Sequence, residues 1–127
     1  MNIIIFGATG GIGKILVKQA INEGNNVKAY MRNPIKFDFV HKNLEVIKGE
    51  LNEYDKIKNS MVGIDCVIST LGPPIKRNYE GFAVFDGHKN IINTMKALNV
   101  KRFITLATPS VKFEKDVSPL ATRLPTI

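Results

Sequence analysis

The chain has 127 residues, 44% hydrophobic and 23% charged, with 18 lysines and arginines against 11 aspartates and glutamates for a formal charge of +7. That is the size and make-up of one globular domain with a real core, and the absence of low-complexity tracts and of a solenoid-length repeat excludes disordered and repeat architectures. The lysines are scattered, with no basic stripe and no interleaved aromatics, which argues against a nucleic-acid partner and leaves a general positive field able to draw in a polyanionic ligand.

The first predicted strand, residues 1–6, runs straight into Gly7-Ala8-Thr9-Gly10-Gly11-Ile12-Gly13. A helix follows, with Ile12, Ile15, Leu16, Gln19 and Ala20 expected on one face. Glycines at 7, 10 and 13 would let the backbone turn sharply, let a diphosphate approach without a Cβ in the way, and let the helix pack closely on the sheet. The free N–H groups at the helix start would then face the phosphates. Gly24 supplies a helix stop, and Asn25-Asn26 leads into a second strand, 27–31, which completes the roughly 30-residue unit of a dinucleotide site. A P-loop is excluded, because no Gly-Lys-Ser/Thr follows at the required spacing.

The end of the second strand chooses the nucleotide. NAD sites usually place Asp or Glu there, roughly 20 residues past the glycines, to accept hydrogen bonds from the ribose 2′-OH. This chain has Tyr30-Met31-Arg32-Asn33-Pro34 instead. With no carboxylate to repel it, a 2′-phosphate would sit against the planar fork of donors on Arg32. NADP(H) is therefore expected in preference to NAD(H).

Residues 34–43 read as a short connection with one helical turn, and 44–48 as a third strand ending at Gly49-Glu50-Leu51. Asn52 is placed to cap a short helix over about 53–60. A fourth strand, 65–70, leads into Leu71-Gly72-Pro73-Pro74. A long helix over about 80–99 carries Val84, His88, Ile91, Met95 and Leu98 at steps of four and three, flanked by Phe85 and Ile92. The fifth strand, 102–107, ends at Thr108-Pro109-Ser110.

Strands alternating with helices imply an α/β, doubly wound parallel sheet with right-handed crossovers, in the order 3-2-1-4-5, with helices on both faces. A single domain over 1–127 is expected. Its ligand should lie at the carboxyl ends of strands one and four, where the winding reverses. Residues 111–127 have no clean periodicity and read as the start of a further region. A sheet ending at strand five would leave an edge of unpaired backbone groups; either the chain is a truncated form or a partner covers that edge.

The single cysteine, Cys66, lies in the apolar run 64–69 and is expected in the core, which excludes an intrachain disulfide and a cysteine-based metal site. His41 and His88 are far apart without ligand-like companions, so no metal is expected. Met1-Asn2 enters a strand with no basic segment or cleavage site, and no apolar run approaches membrane-spanning length. A cytoplasmic protein, with neither membrane nor nucleic acid as partner, is the expectation.

The segments 7–13, Met31-Arg32-Asn33-Pro34, Gly49-Glu50-Leu51 and 87–105 together resemble the NmrA-like, NAD(P)H-binding group of atypical short-chain dehydrogenase/reductases, which includes flavin reductase and biliverdin reductase B relatives. The resemblance covers nearly the whole chain and implies a Rossmann-type fold. By it, the turn formed by Gly7, Thr9, Gly10, Gly11, Ile12 and Gly13 holds the diphosphate, Arg32 the 2′-phosphate, and Glu50 and Leu51 the adenine. Thr70, Leu71 and Gly72 would run beside the nicotinamide ribose. Thr108 matches a Ser/Thr near the nicotinamide, where its hydroxyl would donate to a substrate carbonyl or flavin; the alternative is a strand-end threonine bonded to its own backbone. Members more often carry Asp where this chain has Glu50.

Tyr54-Asp55-Lys56-Ile57-Lys58 matches the Tyr-x-x-x-Lys proton-transfer pair of classical members as text. It falls, however, on the short helix between strands three and four, on the adenine side, and not after strand five. Members of the group range from flavin and quinone reductases to redox sensors without turnover. The resemblance thus implies an NADPH-dependent reductase passing hydride to a flavin, quinone or similar small flat acceptor, or a non-catalytic NADP(H)-binding sensor or regulatory module. Relatives of this type run to roughly 200 residues, one ordinary domain, with two further strands completing the substrate pocket. Nothing in the sequence sets the oligomeric state.

Overall fold

The computed structural model describes residues 1–72 and 83–106. Strands β1 (Asn2–Phe6), β2 (Asn26–Met31), β3 (Leu44–Lys48), β4 (Cys66–Ser69) and β5 (Arg102–Thr105) form one sheet. Its order is β3-β2-β1-β4-β5, and every pairing is parallel. Helices α1 (Gly11–Asn22), α2 (Tyr54–Ser60) and α3 (Ala83–Leu98) make the connections, with a 3-10 turn at Pro34–Lys36 after β2. The doubly wound arrangement read from the alternation of elements is the observed one.

β1 sits at the centre, and the two-residue period of a strand divides its side chains between two cores. Ile3 and Ile5 face α1, packing with Val17, Ala20 and Ile21 and with Val27, Ala29, Met31 and Cys66 of the neighbouring strands. Ile4 and Phe6 face the other way, against Tyr30, Val67, Ile57 and Met61, and against Ile91 and Met95 of α3. Burial on both faces accounts for the unbroken apolar run of β1. Cys66 is a free, buried thiol whose pKa burial pushes up, in keeping with a core role.

Helix α1 presents a different face from the one expected. Gly13, Val17, Ala20 and Ile21 are buried and Leu16 is half-buried, whereas Ile12 and Ile15 are 59% and 67% exposed and Gln19 is exposed as well. The cause is local. Gly13 lies so close to the Gly7 carbonyl and to Ala8 that a Cβ there would collide with both. This contact fixes the rotation of the helix, and at 3.6 residues per turn it carries 13, 17, 20 and 21 inward and turns 12 and 15 to the outside.

Asn52 does not cap α2. The residue before the helix is Glu53, which makes no side-chain cap bond. Its carboxylate instead accepts from the Glu50 N–H at 3.0 Å and pairs with Lys56 at 2.9 Å. Boundaries elsewhere differ by little. β1 begins at Asn2 and β2 at Asn26, β4 is shorter by one residue at each end, and Leu106 already lies beyond β5. The expected helix start at residues 80–82 lies outside the described residues. α3 ends at Leu98, one residue early, because Asn99 takes a left-handed φ of 57°. Along α3, Ile91 and Met95 are buried with Gly87 and Thr94, Val84, His88 and Leu98 are half-buried, and Phe85 and Ile92 are exposed.

Against the sheet, His88 meets two strands. Its Nε2 lies 2.7 Å from Ser69 Oγ, and its ring is edge-on to Phe103 with centroids 6.1 Å apart. Burial holds its pKa below the ordinary 6.5. In acid the unfolded chain therefore takes up a proton at this residue before the folded chain does, and stability falls as pH drops through about 6.5.

Two outcomes are expected from unfolding measurements. Ile21→Ala should cost about 2–5 kcal/mol, whereas Ile15→Ala should stay within about 0.5 kcal/mol of the wild type; comparable losses would contradict the observed rotation of α1. Between pH 7.5 and 5.5 the wild type should lose more of its urea midpoint than His88→Gln, and equal losses would remove His88 as the acid-sensitive group.

Candidate functional site

The turn between β1 and α1 occupies the carboxyl edge of the sheet centre. Gly7 has a φ of 86°, and a Cβ on it would lie 2.6 Å from Thr70 Oγ1 and 3.0 Å from the Leu71 nitrogen. A side chain is therefore excluded at Gly7 by conformation and by space, and at Gly13 by space alone. Gly10 and Gly11 differ from them. Among the described residues, a Cβ on Gly11 would meet nothing within 4 Å, and one on Gly10 only the Gly7 carbonyl at 3.5 Å. Their bareness leaves open room above the start of α1, which is the space a diphosphate needs.

The electrostatics of that space favour an anion. Gly10 is the N-cap of α1, no side chain among the described residues accepts from the first turn, and no acidic residue lies in it. The Gly10 N–H is used within the turn, donating to the Gly7 carbonyl at 3.2 Å, and the intrahelical ladder begins with Lys14 donating to Gly10 at 3.0 Å. The donors between them remain for a ligand at the positive end of the helix dipole. Thr9 is half-buried beside them and Ile12 is exposed. A helix start with this donor set and without a carboxylate suits the diphosphate of a dinucleotide.

Thr70 lies directly beneath the turn. Its hydroxyl is shared between the carbonyls of Gly7 at 3.0 Å and Phe6 at 3.2 Å, and its backbone N–H donates to Phe6 at 2.9 Å. The side chain thus ties the end of β4 to the glycine turn and is engaged there. Leu71 is half-buried in the α3-side core, its N–H pointing at Ser69 Oγ from 3.4 Å, and Gly72 is exposed. Thr108 lies outside the described residues.

The other end of the site is built from β2 and β3. Arg32 is exposed immediately after β2. Asn33 follows, accepting from the Ile35 N–H at 3.3 Å to start the 3-10 turn. Glu53–Lys56 is the one ion pair among the described residues, so Arg32 is not drawn into one there. Glu50 is exposed and Leu51 half-buried in the loop after β3. Beneath that loop, Tyr30 donates its hydroxyl to the Glu50 carbonyl at 2.7 Å. Burial first, then the charges of Glu53 and Glu50, push the Tyr30 pKa up to about 12.

Tyr54 and Lys58 both lie on α2. Tyr54 borders a groove of about 830 Å³ shared with Lys28, Glu45 and Ile47, a groove that includes none of the glycine turn. Several contributors escaped the sequence reading. Ser69 and His88 occupy each other at the end of β4, and Asn90 donates from α3 to the Leu51 carbonyl at 2.8 Å. The signals for them were a serine in a buried strand and polar residues on an amphipathic helix, each of which needs a partner once buried. No helix among the described residues is long and apolar enough to cross a membrane.

The division between the glycines is testable by stability. Gly13→Ala should cost about 1–3 kcal/mol through overpacking, while Gly11→Ala should be neutral or stabilising by up to about 1 kcal/mol. Equal effects would contradict the separate duties assigned to them.

Comparison with known proteins places this geometry. A family described as NAD(P)H-binding matches residues 7–124. Among curated relatives, isoeugenol synthase 1 of Petunia hybrida is 34% identical over 113 residues, covering 80% of this chain and 32% of that protein. The photosystem II assembly factor Ycf39 of Cyanophora paradoxa is 29% identical over 109 residues, covering 82% of this chain and 33% of its own. A Rossmann-fold NAD(P)-binding family protein from Shigella flexneri superposes with a TM-score of 0.68 at 26% identity, over 80% of this chain and 49% of that one. The chain spans about a third of the length of these curated relatives. The central parallel sheet, the glycine turn opening α1 and the family match together show that the chain belongs to the NAD(P)H-binding family, with relatives in the NmrA-like, atypical short-chain dehydrogenase/reductase group.

Proposed function

We propose that the chain binds NADP(H) in preference to NAD(H) and serves a reductase that passes hydride directly to a flavin, quinone or similar flat acceptor. The observation that carries this reading is the pairing of an acid-free helix start above Gly10 and Gly11, uncapped among the described residues, with an exposed Arg32 at the end of β2 that makes no ion pair among those residues. The first suits a diphosphate and the second a 2′-phosphate, to which a guanidinium offers parallel donors.

In this reading Gly7 and Gly13 shape the cradle, Thr9, Gly10, Gly11 and Ile12 border the diphosphate, and Glu50 and Leu51 flank the adenine. Leu71 and Gly72 run beside the nicotinamide ribose, with Thr70 bracing the turn from below. Thr108 is assigned to the acceptor end, donating to a carbonyl or flavin atom. A bound nicotinamide would supply the hydride; the protein's part is position and exclusion of water.

Direct transfer to a flat acceptor is favoured because the polar groups described at the end of β4 are already engaged. Ser69 and His88 hold each other, and Thr70 holds the turn. A flavin or quinone needs no strong protein acid beside it. The same observation supports a second reading, an NADP(H)-responsive regulatory module without turnover. Oxidation of NADPH by added flavin or quinone separates the two.

A titration of nicotinamide fluorescence should show tighter binding of NADPH than of NADH. Arg32→Ala should weaken NADPH binding about 10- to 150-fold, the worth of one charge-assisted contact, while leaving NADH nearly unchanged. Equal losses for both would remove Arg32 from the 2′-phosphate. Gly11→Ala should weaken both cofactors while leaving the fold intact, and unchanged binding would move the diphosphate elsewhere.

A further inference from the structure

The loop after β3, Gly49-Glu50-Leu51, has no regular secondary structure, yet four of its six backbone polar atoms are held. The Gly49 N–H donates to the Met31 carbonyl at 2.9 Å. The Glu50 N–H is taken by the Glu53 carboxylate at 3.0 Å, and the Glu50 carbonyl by the Tyr30 hydroxyl at 2.7 Å. The Leu51 carbonyl accepts from Asn90 Nδ2 at 2.8 Å.

Packing reinforces these bonds from the same two directions. The Tyr30 phenol covers Gly49 so closely that a Cβ there would collide with its ring carbon and hydroxyl. The Leu51 side chain lies over Gly87 of α3, where an added Cβ would come within 2.8 Å of Leu51 Cδ1. The partners are distant in sequence: Tyr30 is 20 residues from Glu50, and Asn90 is 39 from Leu51. Local turn bonds between Glu50 and Glu53 close the turn, and β2 and α3 tie it to the rest of the fold.

Helix α3 also reaches the opposite half of the cleft. Two residues before Asn90, His88 holds Ser69 at the end of β4, next to Thr70 and Leu71. One rigid helix thus carries a tie to each side, Asn90 to the loop after β3 and His88 to the loop after β4.

We infer that Asn90 and Tyr30 are positioning residues of the nucleotide site: they fix the loop that receives the adenosine half, and Asn90 does so from the helix that also fixes the end of β4. The inference rests on the proposed placement of the adenine at Glu50 and Leu51. Neither side chain need touch the cofactor. They act by presenting the loop already ordered, which removes an ordering cost from binding.

The test uses Asn90→Leu, which keeps the size of the side chain and removes the donor. Tyr30→Phe serves as a second variant that loses only the hydroxyl and keeps the ring packed on Phe6, now 5.1 Å away between centroids. Amide hydrogen exchange of the ligand-free protein is read at Glu50 and Glu53, whose N–H groups are bonded within the loop, and affinities are measured for ADP-ribose and for reduced nicotinamide mononucleotide. Each variant should exchange those amides about tenfold faster and bind ADP-ribose about tenfold more weakly, with the mononucleotide unchanged. A purely structural role would lower both affinities together. Wild-type exchange rates in both variants, or equal losses for the two half-ligands, would overturn the inference. Wild-type protein that binds neither half-ligand would overturn the cofactor reading instead, and the exchange data, which need no ligand, would still decide whether these residues hold the loop.

Discussion

The contact between Gly13 and the carbonyl of Gly7 governs much of this structure. Because no side chain stands between them, α1 seats directly against the end of β1. That seat fixes which face of the helix joins the core with Ile3 and Ile5, and it aims the first turn of the helix over Gly10 and Gly11. Fold and site share one constraint here. The close approach that lets α1 pack is also what leaves its unpaired N–H groups at the crevice where the sheet changes winding direction.

The edges of that crevice are irregular segments held by side chains from regular elements. Thr70 pins the glycine turn to β4, Tyr30 and Asn90 pin the loop after β3, and His88 pins Ser69. Each bond satisfies a backbone or hydroxyl group that burial would otherwise leave costly, so order in the loops follows from polar accounting as much as from apolar packing. Among the described residues no buried side-chain nitrogen or oxygen lacks a partner. The residues left exposed at the same edge, Arg32, Glu50 and Gly72 among them, are the ones free to meet a ligand.

Sheet order and strand positions were legible in the sequence. Buried parallel strands must read as apolar runs, and the glycine spacing and the alternation of elements leave few topologies. The rotation of α1 was not legible from periodicity alone. Ile12, Ile15 and Leu16 compete with Val17 and Ile21 for the inward face, and a contact by a residue with no side chain decides between them. Asn52 has the chemistry of a cap, yet the longer reach of Glu53 to the Glu50 N–H and to Lys56 settles that turn. The ties made by Tyr30 and Asn90 span 20 and 39 residues and became visible only once the strands were paired. Thr108 lies outside the described residues.

The most direct measurement is an amide NMR map of the cofactor on the protein, comparing spectra with and without NADPH. The account places the largest shifts at 10–13, with further shifts at Arg32 and at Glu50 and Leu51. Shifts confined to the groove around Lys28, Glu45 and Tyr54, or a folded chain whose spectrum NADPH leaves unchanged, would contradict it.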